Sequence, residues 1–156
     1  MKYKHIARTL GAFAFLLTPL SAWAGDVPPA DSKPLSEILK AVEQQKLGVI
    51  SESEFDNDFW ELNDGFWKVK VCNAGACQKL YIDPKSGTEK RRRKTDSDDI
   101  APTDAMPLSA IVQAVEASGL GIITEVEFDD GYWKLELRKD ARKIKLALDP
   151  RTGAPR

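Results

Sequence analysis

The chain has 156 residues, with 23 Lys and Arg against 24 Asp and Glu and a single His, His5. So even a balance gives no basic footprint for nucleic acid. Two Cys with at most one imidazole make a poor zinc site, and the length permits one ordinary domain or two very small ones.

The N-terminus comes before any fold reasoning. Lys2, Lys4, His5 and Arg8 form a basic start, Leu10 to Leu20 is mostly apolar, and Ala22-Trp23-Ala24 has the small-x-small pattern of a signal-peptidase site. Residues 1–24 are therefore expected to be a cleaved secretory signal, and the mature protein to be periplasmic or secreted. The apolar run of 11 residues is too short to span a membrane, which takes roughly 20. No Cys follows the cut, which argues against a lipid anchor. Cleavage removes three of the 23 basic residues and none of the 24 acidic ones, so the 132 residues that remain carry a net charge of −4. It also removes His5. Without an imidazole, an enzyme would have to work with carboxylates, Lys, Tyr or Ser alone; the expectation is a protein that is not an enzyme and holds no cofactor.

Residues 25–33, with Pro28 and Pro29 ahead of Pro34, read as an extended leader. The rest is organised by a repeat, because Pro34 to Gly87 recurs as Pro107 to Gly153. Leu35, Ile38, Leu39 and Val42 fall at helical spacing, and Leu108, Ile111, Val112 and Val115 repeat them 73 residues on. Gly119 suits a left-handed helix end, where the first copy has Lys46.

The period then changes to two. Ile122, Thr124, Val126 and Phe128 are expected on one face of a strand, with Ile123, Glu125 and Glu127 on the other. Trp133, Leu135 and Leu137 mark a second strand, and Ile144, Leu146 and Leu148 a third. In the first copy the strands are expected at 49–55, 66–71 and 78–82. The predicted fold is α+β: two tandem small units, 34–89 and 107–156, each one helix packed on a three-stranded antiparallel sheet. A unit of about 50 residues is marginal alone. The two must pack together or leave apolar surface for a partner.

The first copy is longer by seven residues. Phe59-Trp60-Glu61-Leu62 is echoed by Phe66-Trp67-Lys68-Val69, so either Trp60 or Trp67 is the counterpart of Trp133. A constant offset of 66 from Gly65 to Gly87 favours Trp67. Phe59, Trp60 and Leu62 then fall in an enlarged hairpin, where they are the candidate partner-binding residues; folding back over the sheet is the other reading. Trp67 and Trp133 are expected in the core.

Residues 90–106 read as a charged linker, with the basic run Lys90 to Lys94 ahead of Asp96, Asp98, Asp99 and Asp104. The run could instead dock on an acidic surface or anionic lipid, or fold back on those acids. Cys72 and Cys77 flank a tight turn and, in an exported protein, are expected to form a disulfide. Asp83-Pro84 and Asp149-Pro150, each with a Gly three residues after the Pro, read as structural turns rather than metal ligands. Glu52 with Glu54, and Glu125 with Glu127, pair carboxylates on strand faces; solvated charge is the plain reading and a glycosidase-like pair the sharper one.

A signal followed by Leu-Ser-x-Ile, Val-Glu, Gly-x-Ile, an acidic strand, Gly-Phe/Tyr-Trp-Lys and Asp-Pro-x-Ser/Thr-Gly resembles the PepSY domain family in its small secreted bacterial form, in two tandem copies. The resemblance implies a helix on an antiparallel sheet and a noncatalytic module, of the kind found in propeptides of thermolysin-type metalloproteases and in spore-germination and membrane-reductase proteins. The implied partner is an envelope protein, a peptidase among the candidates, and no catalytic residues carry over. The second function class is an envelope carrier or sensor for a small ligand or metal, which would need a pocket between the units. A carboxylate enzyme is a distant third.

Overall fold

A proline opens each helix. The computed structural model, which describes residues 27–57 and 65–156, places α1 at Leu35–Gln44 after Pro34 and α2 at Leu108–Ala117 after Pro107. The predicted signal and the trio Phe59, Trp60 and Leu62 lie outside the described residues. The expected apolar stripes are buried in full, and Ser109 is buried beside the second. Gly119 adopts φ 65° after α2, and Lys46 is held at φ 54° in the same place after α1. A side chain in that left-handed region costs about 1 kcal/mol. Lys46→Gly is therefore expected to stabilise the protein by about 0.5–1 kcal/mol, read as a shift in denaturant midpoint; no gain would mean that the lysine makes an offsetting contact.

The strands are β1 (Val49–Asp56), β2 (Phe66–Asn73), β3 (Ala76–Ile82), β4 (Glu89–Thr95), β5 (Ile122–Asp129), β6 (Tyr132–Lys139) and β7 (Arg142–Leu148). They form one antiparallel sheet in the order β4-β3-β2-β1-β5-β6-β7. This corrects the expected pair of separate three-stranded sheets. The halves join where Glu52, Ser53 and Glu54 of β1 pair with Glu127, Val126 and Glu125 of β5. Joining satisfies two edges that would otherwise lie open, and it merges two marginal cores into one. That core runs through both helices and both halves of the sheet.

The first half also has a fourth strand, β4, inside the segment expected as linker. The Asp-Pro-x-Ser-Gly sequence does not end the unit but turns it. Asp83 Oδ1 accepts from the backbone N–H groups of Lys85 and Ser86, Gly87 N–H returns to Asp83 O at 2.9 Å, and Gly87 sits at φ 72°. Asp149, Arg151, Thr152 and Gly153 repeat this turn, after which Pro155 makes a bridge to Leu148. Both aspartates thus have the structural role expected of them.

The repeat also begins earlier than its sequence signature. Lys33 N–H donates to Pro84 O, as Met106 N–H does to Pro150 O, and an Asp31–Lys85 ion pair is matched by Asp104–Arg151. Leader and connector are therefore equivalent straps ahead of their helices. The connector is tied down further by Asp98, 2.9 Å from the Lys70 ammonium, and by Ala101, which is buried in the core.

Strand phase departs from simple alternation once in each half. Ile123 is 4% exposed and Ile122 is 50% exposed, the reverse of the expected assignment. The register shifts between Ile123 and Glu125, and likewise between Ile50 and Glu52. A bulge at Thr124, and at Ser51 in the first half, inserts one residue and exchanges the faces on either side of it.

Register also identifies the true counterpart of Trp133. Trp67 pairs with Phe55 and Ile82 as Trp133 pairs with Phe128 and Leu148. The β1–β2 hairpin closes on Asp56 and Phe66, where its equivalent closes on Asp129 and Tyr132 around Asp130-Gly131. The seven extra residues lie wholly in that loop.

Candidate functional site

The sheet has one face under the helices and one face open. Strand alternation puts Glu52, Glu54, Glu125 and Glu127 together on the open face, with Lys68, Lys70 and Lys79 on one side and Lys134, Glu136 and Lys145 on the other. Glu52 stands directly opposite Glu127 and Glu54 opposite Glu125. Like charges opposite one another across a strand pair destabilise it.

The two halves neutralise this ridge unequally. In the first, Lys68 pairs with Glu54 and Asp56, and Lys79 lies 3.7 Å from Glu52. In the second, Lys134 is drawn instead to Asp129 and Asp130, whose hydrogen bonds hold its pKa up to about 12. Lys143 and Lys145 both go to Glu136, and the Lys143 hydrogen bond lowers that carboxyl. Burial, followed by Glu136, Glu54, Glu127 and Glu52, raises Glu125; burial, followed by Asp129 and Glu52, raises Glu127; burial also raises Glu54.

These shifts fix a pH profile. A carboxyl raised on folding binds protons more tightly in the native state, so stability grows as pH falls from neutral toward the upper edge of the carboxylate range. Asp83 and Asp149 act in the opposite sense. Backbone N–H donors hold both below the usual 3.8, and the stability they contribute is lost as pH falls through their lowered values. Thermal melts are expected to peak in mildly acidic solution and decline below it, and Glu125→Gln with Glu127→Gln should flatten the rise. A profile that falls continuously from pH 7 would show that the ridge is fully screened.

The paired carboxylates sit on a broad sheet face beside a depression of about 330 Å³ lined by Glu125, Glu127, Lys134, Glu136 and Lys145. Among the described residues, no hydroxyl, thiol or imidazole lines it. Nor, among them, is any group of three or more His, Cys, Asp and Glu placed to hold a metal ion. No helix among them is long and apolar enough to cross a membrane.

Cys72 and Cys77 face each other across the β2–β3 hairpin, with their sulfurs at disulfide distance. The second half has Arg138 opposite Lys143 at that register. Of the residues that the sequence pattern singles out, then, the cysteines come together and the four glutamates converge on the junction.

One arrangement has no counterpart among those patterns. Glu116 near the end of α2 accepts from Ser36 N–H at 3.2 Å and from the Ser36 hydroxyl, both at the start of α1. Glu43 does the same for Ser109 at the start of α2, with the backbone bond at 3.0 Å. Neither helix has a side-chain cap of its own, so each is capped by the other. The signal was present in the repeated Glu: at the end of its own helix the charge opposes the helix dipole, and it becomes favourable only beside another helix's N-terminus.

Residues 95–155 match the family model described as the peptidase propeptide and YPEB domain, PepSY_2. The match begins at the last residue of β4 and takes in the connector, α2, β5, β6, β7 and most of the closing turn. No curated protein matches the chain. Among solved structures, a protein described as a candidate lipoprotein from Clostridium difficile 630 is similar at 16% identity and a TM-score of 0.47, over 85% of this chain and 93% of that one.

Proposed function

We propose that the protein is a noncatalytic binding module of the bacterial envelope, built of two PepSY-like halves, which restrains a peptidase or holds another envelope protein. The observation that carries this reading is the PepSY match over residues 95–155, a family described by its peptidase propeptides. The fold is consistent with it. Apolar side chains of both halves are spent on one shared core, which leaves a charged sheet face and the β4 sheet edge outside it.

The test uses the chain from Gly25 onward. Incubated with an envelope extract and cross-linked, it is expected to retain a protein partner, and a partner with peptidase activity is expected to be slowed by it. Retention of nothing, with no effect on envelope proteolysis, overturns the reading.

Phe59, Trp60 and Leu62 are proposed as part of the contact on sequence grounds. Deleting 57–63 joins Asp56 to Asp64-Gly65-Phe66, which reproduces Asp129-Asp130-Gly131-Tyr132 of the second half. The deletion variant is expected to melt cooperatively within a few degrees of the parent, since the shorter loop closes at lower entropic cost, and to lose the partner. A variant that unfolds would make the segment part of the core.

A further inference from the structure

Strand β4 buries nothing large: Lys90, Arg91, Arg92, Arg93 and Lys94 are all exposed. It pairs with β3 on one side only, so its other side is the edge of the sheet. The edge at β7 is blunted instead, because Pro155 bridges to Leu148, Arg156 N–H donates to Ala147 O, and Lys143 and Lys145 are paired with Glu136. On β4, Arg91 and Arg93 stand opposite Tyr81 and Lys79 on the open face, while Arg92 and Lys94 stand opposite Leu80 and Gln78 on the helix side. Arg92 is held there by Glu89 and Gln45. Of the acids that follow, Asp98 is committed to Lys70 and Asp104 to Arg151, so these two do not fold back on the run.

We propose that the β4 edge accepts an extended acidic segment of a partner protein as an eighth strand. This rests on the reading that the protein works by binding, and it names the surface and the chemistry of the partner. An edge strand offers backbone donors and acceptors to any chain laid beside it. Here Arg93 and Lys94 put a cation on each face of the edge, so carboxylates at successive positions of an added strand meet opposite charge on either face. A second copy of β4 would bring cation against cation, which disfavours edge-to-edge self-assembly. An anionic bilayer could use the charge but not the backbone groups.

The probe is an acetylated, amidated nonapeptide, a run of seven glutamates between terminal threonines, which carries carboxylates on both faces of an added strand, titrated into the chain from Gly25 onward at low salt. Binding is expected to saturate, to weaken with added salt, and to protect β4 amides from hydrogen exchange. The same peptide with every internal amide N-methylated keeps its charge but offers no backbone N–H from either edge, and is expected to bind at least about tenfold more weakly. Arg93→Glu with Lys94→Glu, one on each face, should weaken the unmodified peptide to a similar degree. No saturation, equal binding of the two peptides, or preference for phosphatidylglycerol vesicles over peptide overturns the edge site. A cross-linked envelope partner retained undiminished by the double variant overturns it too and leaves the binding-module reading standing. A wild-type chain that takes up the peptide but retains no envelope protein supports the edge site and overturns the broader reading.

Discussion

Trp133→Ala is expected to lower stability by about 3–5 kcal/mol, the range for removing a buried aromatic side chain. Trp133 is 1% exposed, lies between Phe128 and Leu148 in the sheet, and meets the Phe128 ring edge-on at 5.3 Å. Its indole N–H has no hydrogen-bond partner among the described residues, so the loss is one of packing. Trp133→Phe should accordingly cost much less, about 1–2 kcal/mol. In a single domain of this length the alanine variant should melt on the order of 10 °C lower. It should do so in one transition, because the core beneath Trp133 is continuous with that beneath Trp67. Calorimetry showing a shift of only a few degrees would place Trp133 outside the cooperative core; two resolved transitions would show that the halves unfold separately.

What the sequence revealed follows from what was buried. The helices, the six strands with apolar periodicity and the equivalence of Trp67 and Trp133 were legible, because each rests on side chains that the core selects. β4 was illegible for the converse reason. It buries almost no side chain, so its residues are free to be charged, and a run of five cations reads as linker. Its signal lay outside it, in the Asp83 turn that reverses the chain. Ile122 and Ile123 take the faces opposite to those that simple alternation predicts, because a bulge leaves no mark on composition. The carboxylate pairs were visible as pairs within each copy, but their meeting depends on β1 lying beside β5 in antiparallel register. No local pattern encodes that neighbour. Ser53 and Val126, which pair at the junction, are 73 residues apart, the same spacing that relates the two helices. A repeat joined edge to edge about such a point has approximate twofold symmetry. That symmetry explains why the grouping of charges is reproduced from both sides.

The same symmetry governs the helix caps, whose removal is the other change expected to have a large effect. Glu43→Ala with Glu116→Ala removes both acceptors at once and leaves the N–H groups of Ser109 and Ser36 without their carboxylates. Loss of an N-terminal cap costs about 0.5–2 kcal/mol, so the pair should cost about 2–3 kcal/mol. Each substitution also removes a negative charge from the wrong end of its own helix, a relief of about 0.3–1 kcal/mol at an exposed site. The capping loss is the larger, since each carboxylate is half-buried and accepts two bonds, and the net effect is destabilising. A cycle of Glu43→Ala with Ser109→Ala isolates the bond from the dipole, because only the bonded pair should be non-additive. Coupling of about 1 kcal/mol is expected there, and none between Glu43 and Ser36. Equal coupling of Glu43 to both serines would mean that the carboxylates act through general charge. No destabilisation in the double variant would mean that water caps the helices as well as the opposite half does.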